Sequence, residues 1–182
     1  MPLFHYSKDE SHLTIDSAVT SISNEEAISN NDKLVKVVLP VGLRTIGNGA
    51  FQNCTSLREI EFNEGLKSIG KGAFSGCTSI NRICIPSTIS EIGGGAFNGC
   101  TSLADLQLCE GVETIGEVDF HGSTLKDHRG FQGSFAGCTA LKHLTIPSTV
   151  YEIGHGAFNG CTSLKDVQFC DGIQVIDGAF SN

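Results

Sequence analysis

No stretch of the chain is apolar for long enough to cross a bilayer, so a membrane-spanning helix is excluded. The first dozen residues hold no hydrophobic stretch of signal-peptide length, and a cytoplasmic setting is the expectation that follows. Basic residues are scarce: 12 Lys and Arg against 20 Asp and Glu give a net charge of −8. Nucleic acid and anionic membrane both recruit a basic patch, so neither is expected as a partner. There is no CxxC pair, the commonest zinc-binding spacing. The glycines precede no long helix of the kind that cradles a phosphate, so no dinucleotide or other cofactor is implied.

What the chain has in abundance is periodic. A phrase close to GxxAFxxCTSLxxI returns at 23-residue intervals, with Phe51, Phe74 and Phe97, then Phe135 and Phe158, at one phase. A fixed period of this length is the signature of a solenoid, in which no coil closes its own core and several must stack before any is stable. Within a coil, Leu57-Ile60-Phe62, Ile80-Ile83-Ile85, Leu103-Leu106-Leu108, Leu141-Leu144-Ile146 and Leu164-Val167-Phe169 end on an apolar pair spaced by two. That alternation predicts a short, half-buried strand. Pro86 and Pro147 follow two of these strands, where a missing N–H stops the ladder. Next come an apolar position (Leu43, Leu66, Ile89, Val112, Val150, Ile173) and, three residues later, an isoleucine (Ile46, Ile69, Ile92, Ile115, Ile153, Ile176). The glycine behind most of these isoleucines suits a corner. The Ala-Phe step is expected on a short helical or 3₁₀ turn, each ring contributing roughly 2–3 kcal/mol on burial.

Same-phase residues of successive coils should stack at about 4.8 Å, the spacing of neighbouring strands. The pattern LxxIxIPSTIxEIGxGAFxGCTSL resembles the BspA-like leucine-rich repeat family and covers nearly the whole chain. The resemblance implies a mainly β fold: a curved, right-handed leucine-rich-repeat solenoid with a parallel sheet of short strands on its concave face and 3₁₀ or helical turns on the convex side. It also implies a non-catalytic scaffold that binds other macromolecules, sometimes at cell surfaces.

The domain organisation expected is a leader over 1–12, then one solenoid of about six and a half coils over 13–182. Leu13, Ile15, Val19 and Ile28 trace a worn first coil. The interval from Cys100 to Cys138 is 38 residues rather than 23. The surplus, around 117–133, is expected to loop out of a stack whose register resumes beyond it. The turn after the strand alternates between Pro-Ser-Thr and an acidic residue followed by glycine (Glu64-Gly65, Glu110-Gly111, Asp171-Gly172), which suggests a unit of two coils. The last coil stops at Phe180, Ser181 and Asn182, before its cysteine. An uncapped end with Ile176 and Phe180 exposed predicts weak end-to-end self-association, which strictly monomeric sedimentation at high concentration would contradict.

Of the eight cysteines, Cys54, Cys77, Cys100, Cys138 and Cys161 share one phase and are expected as reduced, packed thiols; a line of thiols is not a tetrahedron, so no metal is expected. Cys84, Cys109 and Cys170 lie on or just after strands. The outward positions of the strands form two rows. One reads Lys36, Glu59, Arg82, Asp105, His143, Asp166; the other reads Val38, Glu61, Cys84, Gln107, Thr145, Gln168. All of these but Val38 are the candidate contacts for a protein or peptide partner. The competing class is a structural or adhesive spacer within a larger or surface protein, binding glycan or matrix. Catalysis is disfavoured: Cys84, Asp105 and His143 fall on three successive strands, so thiol and imidazole should lie roughly 10 Å apart, beyond hydrogen-bond reach. His121, Asp127 and His128 in the surplus segment read as solvated loop residues rather than a metal trio.

Overall fold

The computed structural model describes residues 3–23, 28–116, 133–176 and 178–180, and among them it is built entirely from strands and turns. The strands, numbered along the chain, fall into two series. One comprises β1 (Phe4–Tyr6), β2 (His12–Ile15), β4 (Lys36–Val38), β6 (Glu59–Ile60), β8 (Arg82–Ile85), β10 (Asp105–Leu108), β12 (His143–Ile146) and β14 (Asp166–Phe169). All but β1 are strands that the period-two alternation predicts, and Leu13, Ile15, Val37, Ile60, Ile83, Ile85, Leu106, Leu144 and Ile146 point inward and are buried.

The second series is new relative to the sequence reading. The two-residue strands β3 (Ser21–Ile22), β5 (Thr45–Ile46), β7 (Ser68–Ile69), β9 (Glu91–Ile92), β11 (Thr114–Ile115), β13 (Glu152–Ile153) and β15 (Val175–Ile176) form one continuous seven-stranded sheet. Its pairs are parallel and in register, isoleucine beside isoleucine. Where a glycine follows the isoleucine it prolongs that ladder: Gly70 N–H donates to the Ile46 carbonyl at 2.8 Å, Gly93 to Ile69 at 3.1 Å and Gly116 to Ile92 at 3.1 Å.

Opposite the longer strands, the Ala-Phe step forms no helix or 3₁₀ segment among the described residues. The reason lies in its hydrogen bonds, which alternate. Ala50, Gln52 and Cys54 donate back three residues within their own coil, while Gly49, Phe51 and Asn53 donate to Lys71, Ala73 and Ser75 of the next. A continuous helix would need every N–H for itself; sharing them between turn and neighbour stitches the coils together. The turn also needs a left-handed residue, and Asn30, Asn53, Gly76, Gly99, Gly137 and Gly160 supply it at one phase, with φ between 57° and 75°.

The core is a set of ladders. Phe51, Phe74, Phe97, Phe135, Phe158 and Phe180 stack with centroids 5.2–5.4 Å apart and planes within 9° of parallel. The stack runs unbroken from Phe97 to Phe135, and β11 pairs directly with β13, so the register resumes across the 38-residue interval as expected. Buried Ser134 stands where other coils carry alanine and donates to the Ile92 and Gly93 carbonyls at 3.1 and 3.0 Å. The surplus segment itself lies almost wholly outside the described residues.

Two features differ from expectation. Residues read as leader include β1, which pairs antiparallel with β2, Phe4 opposite Ile15 and Tyr6 opposite Leu13. In addition, the longer strands do not form one sheet: the ladder divides into β1-β2-β4-β6, β8-β10 and β12-β14. Phe62 stands at the first division, in a phase occupied by Ile85, Leu108 and Ile146 and again by a phenylalanine, Phe169 of β14. Its ring leans onto Phe74 and Phe97, with centroids 5.7 and 6.5 Å away, and β6 ends two residues short of it. The second division coincides with the 38-residue interval.

Candidate functional site

The first outward row alternates basic and acidic residues, and the structure pairs them within each sheet segment. Lys36 Nζ meets Glu59 Oε2 at 2.8 Å on β4 and β6, Arg82 Nε meets Asp105 Oδ2 at 3.2 Å on β8 and β10, and His143 Nδ1 meets Asp166 Oδ2 at 2.9 Å on β12 and β14. Their hydrogen bond, reinforced by opposite charge, lowers the Glu59 carboxyl and raises the Lys36 ammonium from their ordinary values. These pairs are open to solvent, so each contributes little to stability. Their effect is to fix side-chain directions on the strand face, with each pair joining two neighbouring coils.

The second row, Val38, Glu61, Cys84, Gln107, Thr145 and Gln168, is exposed throughout. Gln107 Oε1 accepts from Arg82 at 3.4 Å, a long contact. The two rows converge at the division between β6 and β8, where a depression of about 820 Å³ opens in the strand face. Lys36, Glu59, Glu61, Arg82, Cys84 and Gln107 line it, with Arg58, Phe62 and Glu64. Asp105, His143, Thr145, Asp166 and Gln168 lie farther along the same face, outside the lining. Sequence reasoning placed the row but missed the depression, because it lies where β6 and β8 do not pair, a break with no periodic signal.

No catalytic grouping forms from the trio considered above. His143 is held by Asp166 and Asp105 by Arg82, while Cys84 is separated from His143 by the intervening β10. Among the described residues no group of three or more His, Cys, Asp and Glu is placed to hold a metal ion; His121, Asp127 and His128 lie outside them. No helix of the described residues is long and apolar enough to cross a membrane.

The cysteine column does more than fill space. Each buried thiol donates to a carbonyl of the preceding coil: Cys54 to Ile28 at 3.3 Å, Cys77 to Phe51 at 3.0 Å, Cys100 to Phe74 at 3.3 Å, Cys138 to Phe97 at 3.4 Å and Cys161 to Phe135 at 3.2 Å. Burial pushes the Cys54 thiol up from 9.0 to about 11 and the Cys100 thiol to about 12. These groups keep their protons in the folded chain at a pH where the unfolded chain has lost them. Their stabilisation is therefore complete below pH 9 and declines as pH rises from there through 11 to 12. Urea midpoints should fall between pH 8 and pH 10, and less steeply in Cys100→Ala; an equal slope in the variant would show that the column does not carry the effect.

The family described as BspA type Leucine rich repeat region matches residues 20–130 and 131–182, in six copies. No curated protein matches the chain. Among solved structures, a leucine-rich repeat protein of Treponema pallidum is 28% identical, with a TM-score of 0.62 over 90% of this chain and 66% of that one. A leucine-rich cell surface protein of Faecalibacterium prausnitzii is 24% identical, with a TM-score of 0.58 over 91% of this chain and 37% of that one. A leucine-rich repeat protein of Eubacterium ventriosum is 20% identical, with a TM-score of 0.60 over 85% and 47%. The chain thus spans less than two thirds of the length of each of these proteins. With the repeat phases, the stacked ladders and the family match in agreement, this chain belongs to the BspA-type leucine-rich repeat family.

Proposed function

We propose that the chain is a non-catalytic binding scaffold whose strand face docks a protein or peptide partner. The observation that carries this reading is the depression at the β6–β8 division. There the strand ladder is interrupted, side chains of both charges stand beside Phe62, and the rigid coils behind them are fully packed. Mixed polar groups around an apolar floor are the usual anatomy of a recognition site. A reducing, cytoplasmic setting belongs to the same proposal and draws support from the column of buried protonated thiols.

The test is a pull-down with the wild-type chain beside an Arg82→Glu, His143→Glu variant shown to be folded by circular dichroism. Both residues are exposed, so the variant should keep its fold. A partner held by the wild type and lost by the variant supports the reading. A partner retained by the variant moves the contact off this face.

A second reading, a structural or adhesive spacer that meets glycan or matrix, is favoured by one observation: the charges of the first row are engaged with each other, as in an array built for self-consistency. The surface location named for the Faecalibacterium prausnitzii protein accords with it. Failure of the strand face to retain any protein, together with retention on a glycan array, would favour this second reading.

A further inference from the structure

Cys84, in the lining of the depression, and Cys109 are not part of the buried thiol column. Cys84 lies on β8 with its side chain on the outer face, opposite Gln107 of β10. Cys109 is two residues beyond Gln107, hence on the same face, and its N–H donates to the Ile85 carbonyl at 3.1 Å. The two cysteines are therefore diagonal neighbours on adjacent strands, one exposed and the other half-buried. Burial first, and then the nearness of the Cys84 side chain, raise the Cys109 thiol above its ordinary value.

We infer that Cys84 and Cys109 form a reversible disulfide, a redox-responsive cross-link between two coils at the rim of the strand-face depression. In parallel strands about 4.8 Å apart that rise about 3.3 Å per residue, positions offset by two lie about 8 Å apart at Cα. A disulfide spans up to about 6.8 Å. Closure thus needs an approach of about 1 Å, and Cys109 is placed to make it because β10 ends at Leu108 and the chain enters a turn at Glu110.

The oxidant is a peroxide. The exposed Cys84 thiolate attacks one peroxide oxygen; an S–O bond forms, the O–O bond breaks, and the departing hydroxide takes a proton to become water. Cys109 then loses its proton and attacks the Cys84 sulfur; the S–S bond forms, the S–O bond breaks, and a second water leaves. Two thiols lose two electrons in all, and one peroxide becomes two waters. Cys84, exposed to the peroxide, is the attacking thiol, and the half-buried Cys109, whose proton is held more firmly than an ordinary thiol's, is the resolving partner.

The experiment treats the full chain with hydrogen peroxide, blocks remaining thiols by alkylation and maps the digest by mass spectrometry. The expected product is a Cys84–Cys109 linked peptide pair, lighter by two hydrogens, restored by a dithiol reductant and absent from Cys84→Ser. In Cys109→Ser, Cys84 should accumulate as sulfenic acid, with dimedone labelling several-fold above wild type. Linkage of Cys84 only to Cys170 or to a second chain would overturn the inference. So would oxidation of Cys84 to sulfinic acid without linkage in the wild type, or dimedone labelling unchanged by Cys109→Ser. Thermal melts of both variants report folding independently, and the result stands whether or not a partner binds the face.

Discussion

Phe97→Ala is expected to lower the free energy of unfolding by about 3–5 kcal/mol, the range for an aromatic truncated in a core that cannot collapse around the void. Phe97 is fully buried and sandwiched, 5.3 Å from Phe74 and 5.2 Å from Phe135, with Phe62 edge-on at 6.5 Å. Its removal leaves a gap that two neighbouring coils share. The coils are held rigidly by their ladders, so neither can move in to fill it. Equilibrium urea unfolding measures the loss, and Glu61→Ala, exposed on the opposite face, is the control that should leave the midpoint unchanged. Equal midpoints for wild type and Phe97→Ala would mean that the aromatic column is not the core. Because each coil touches only its neighbours, the variant should also broaden the transition, as the halves on either side of coil Phe97 lose their coupling.

The second large effect is expected at a residue with no side chain. A Cβ built on Gly93 would stand 2.8 Å from the Gly70 carbonyl carbon, 2.8 Å from the Lys71 nitrogen and 3.0 Å from the Ile69 oxygen, all of them backbone atoms of the preceding coil. No rotamer change relieves such a clash; the coils must separate, weakening the 3.1 Å bond from Gly93 N–H to Ile69. Gly93→Ala should cost roughly 1–3 kcal/mol or more, the range for overpacking a tight interior. Gly42→Ala provides the contrast. Its Cβ would meet only the Ser17 carbonyl, at 3.6 Å, an ordinary contact. By reducing the freedom of the unfolded chain it should be neutral or stabilising by about 0.4–1 kcal/mol. Thermal melts of the two variants read both signs, and a harmless Gly93→Ala would show that the short-strand ladder is looser than the geometry requires.

The strand and core phases were legible because 23-residue repetition writes each structural position several times over, so Phe51 to Phe158 and Leu57 to Leu164 identify one another. The short-strand sheet escaped notice because two residues such as Thr45–Ile46 are too few to alternate; its trace was the isoleucine-glycine step, read as a corner when it is a ladder ending at a corner. Strand β1 escaped because nothing repeats it, although Phe4, packed against the core, was an available cue. The alternating signs of Lys36, Glu59, Arg82, Asp105, His143 and Asp166 were visible in the sequence, but their meaning depends on which strands pair, and the ladder divides between β6 and β8 and again at the long interval after Cys100. The depression inherits the same dependence. A site formed where a repeat fails is the part of a repeat protein that periodicity cannot forecast.

The central claim is that recognition occurs on the strand face at the β6–β8 division, and photo-crosslinking tests it most directly. A photoreactive residue replaces Glu61, in the depression, or Gln52, exposed on the turn side of the coil, in chains otherwise identical. On irradiation in lysate of the source cell, the chain carrying the probe at position 61 should yield a discrete protein or peptide adduct that the chain with the probe at 52 does not, and Arg82→Glu with His143→Glu should abolish it. A discrete adduct from position 52 alone, or one from position 61 that survives the charge reversals, would contradict the account.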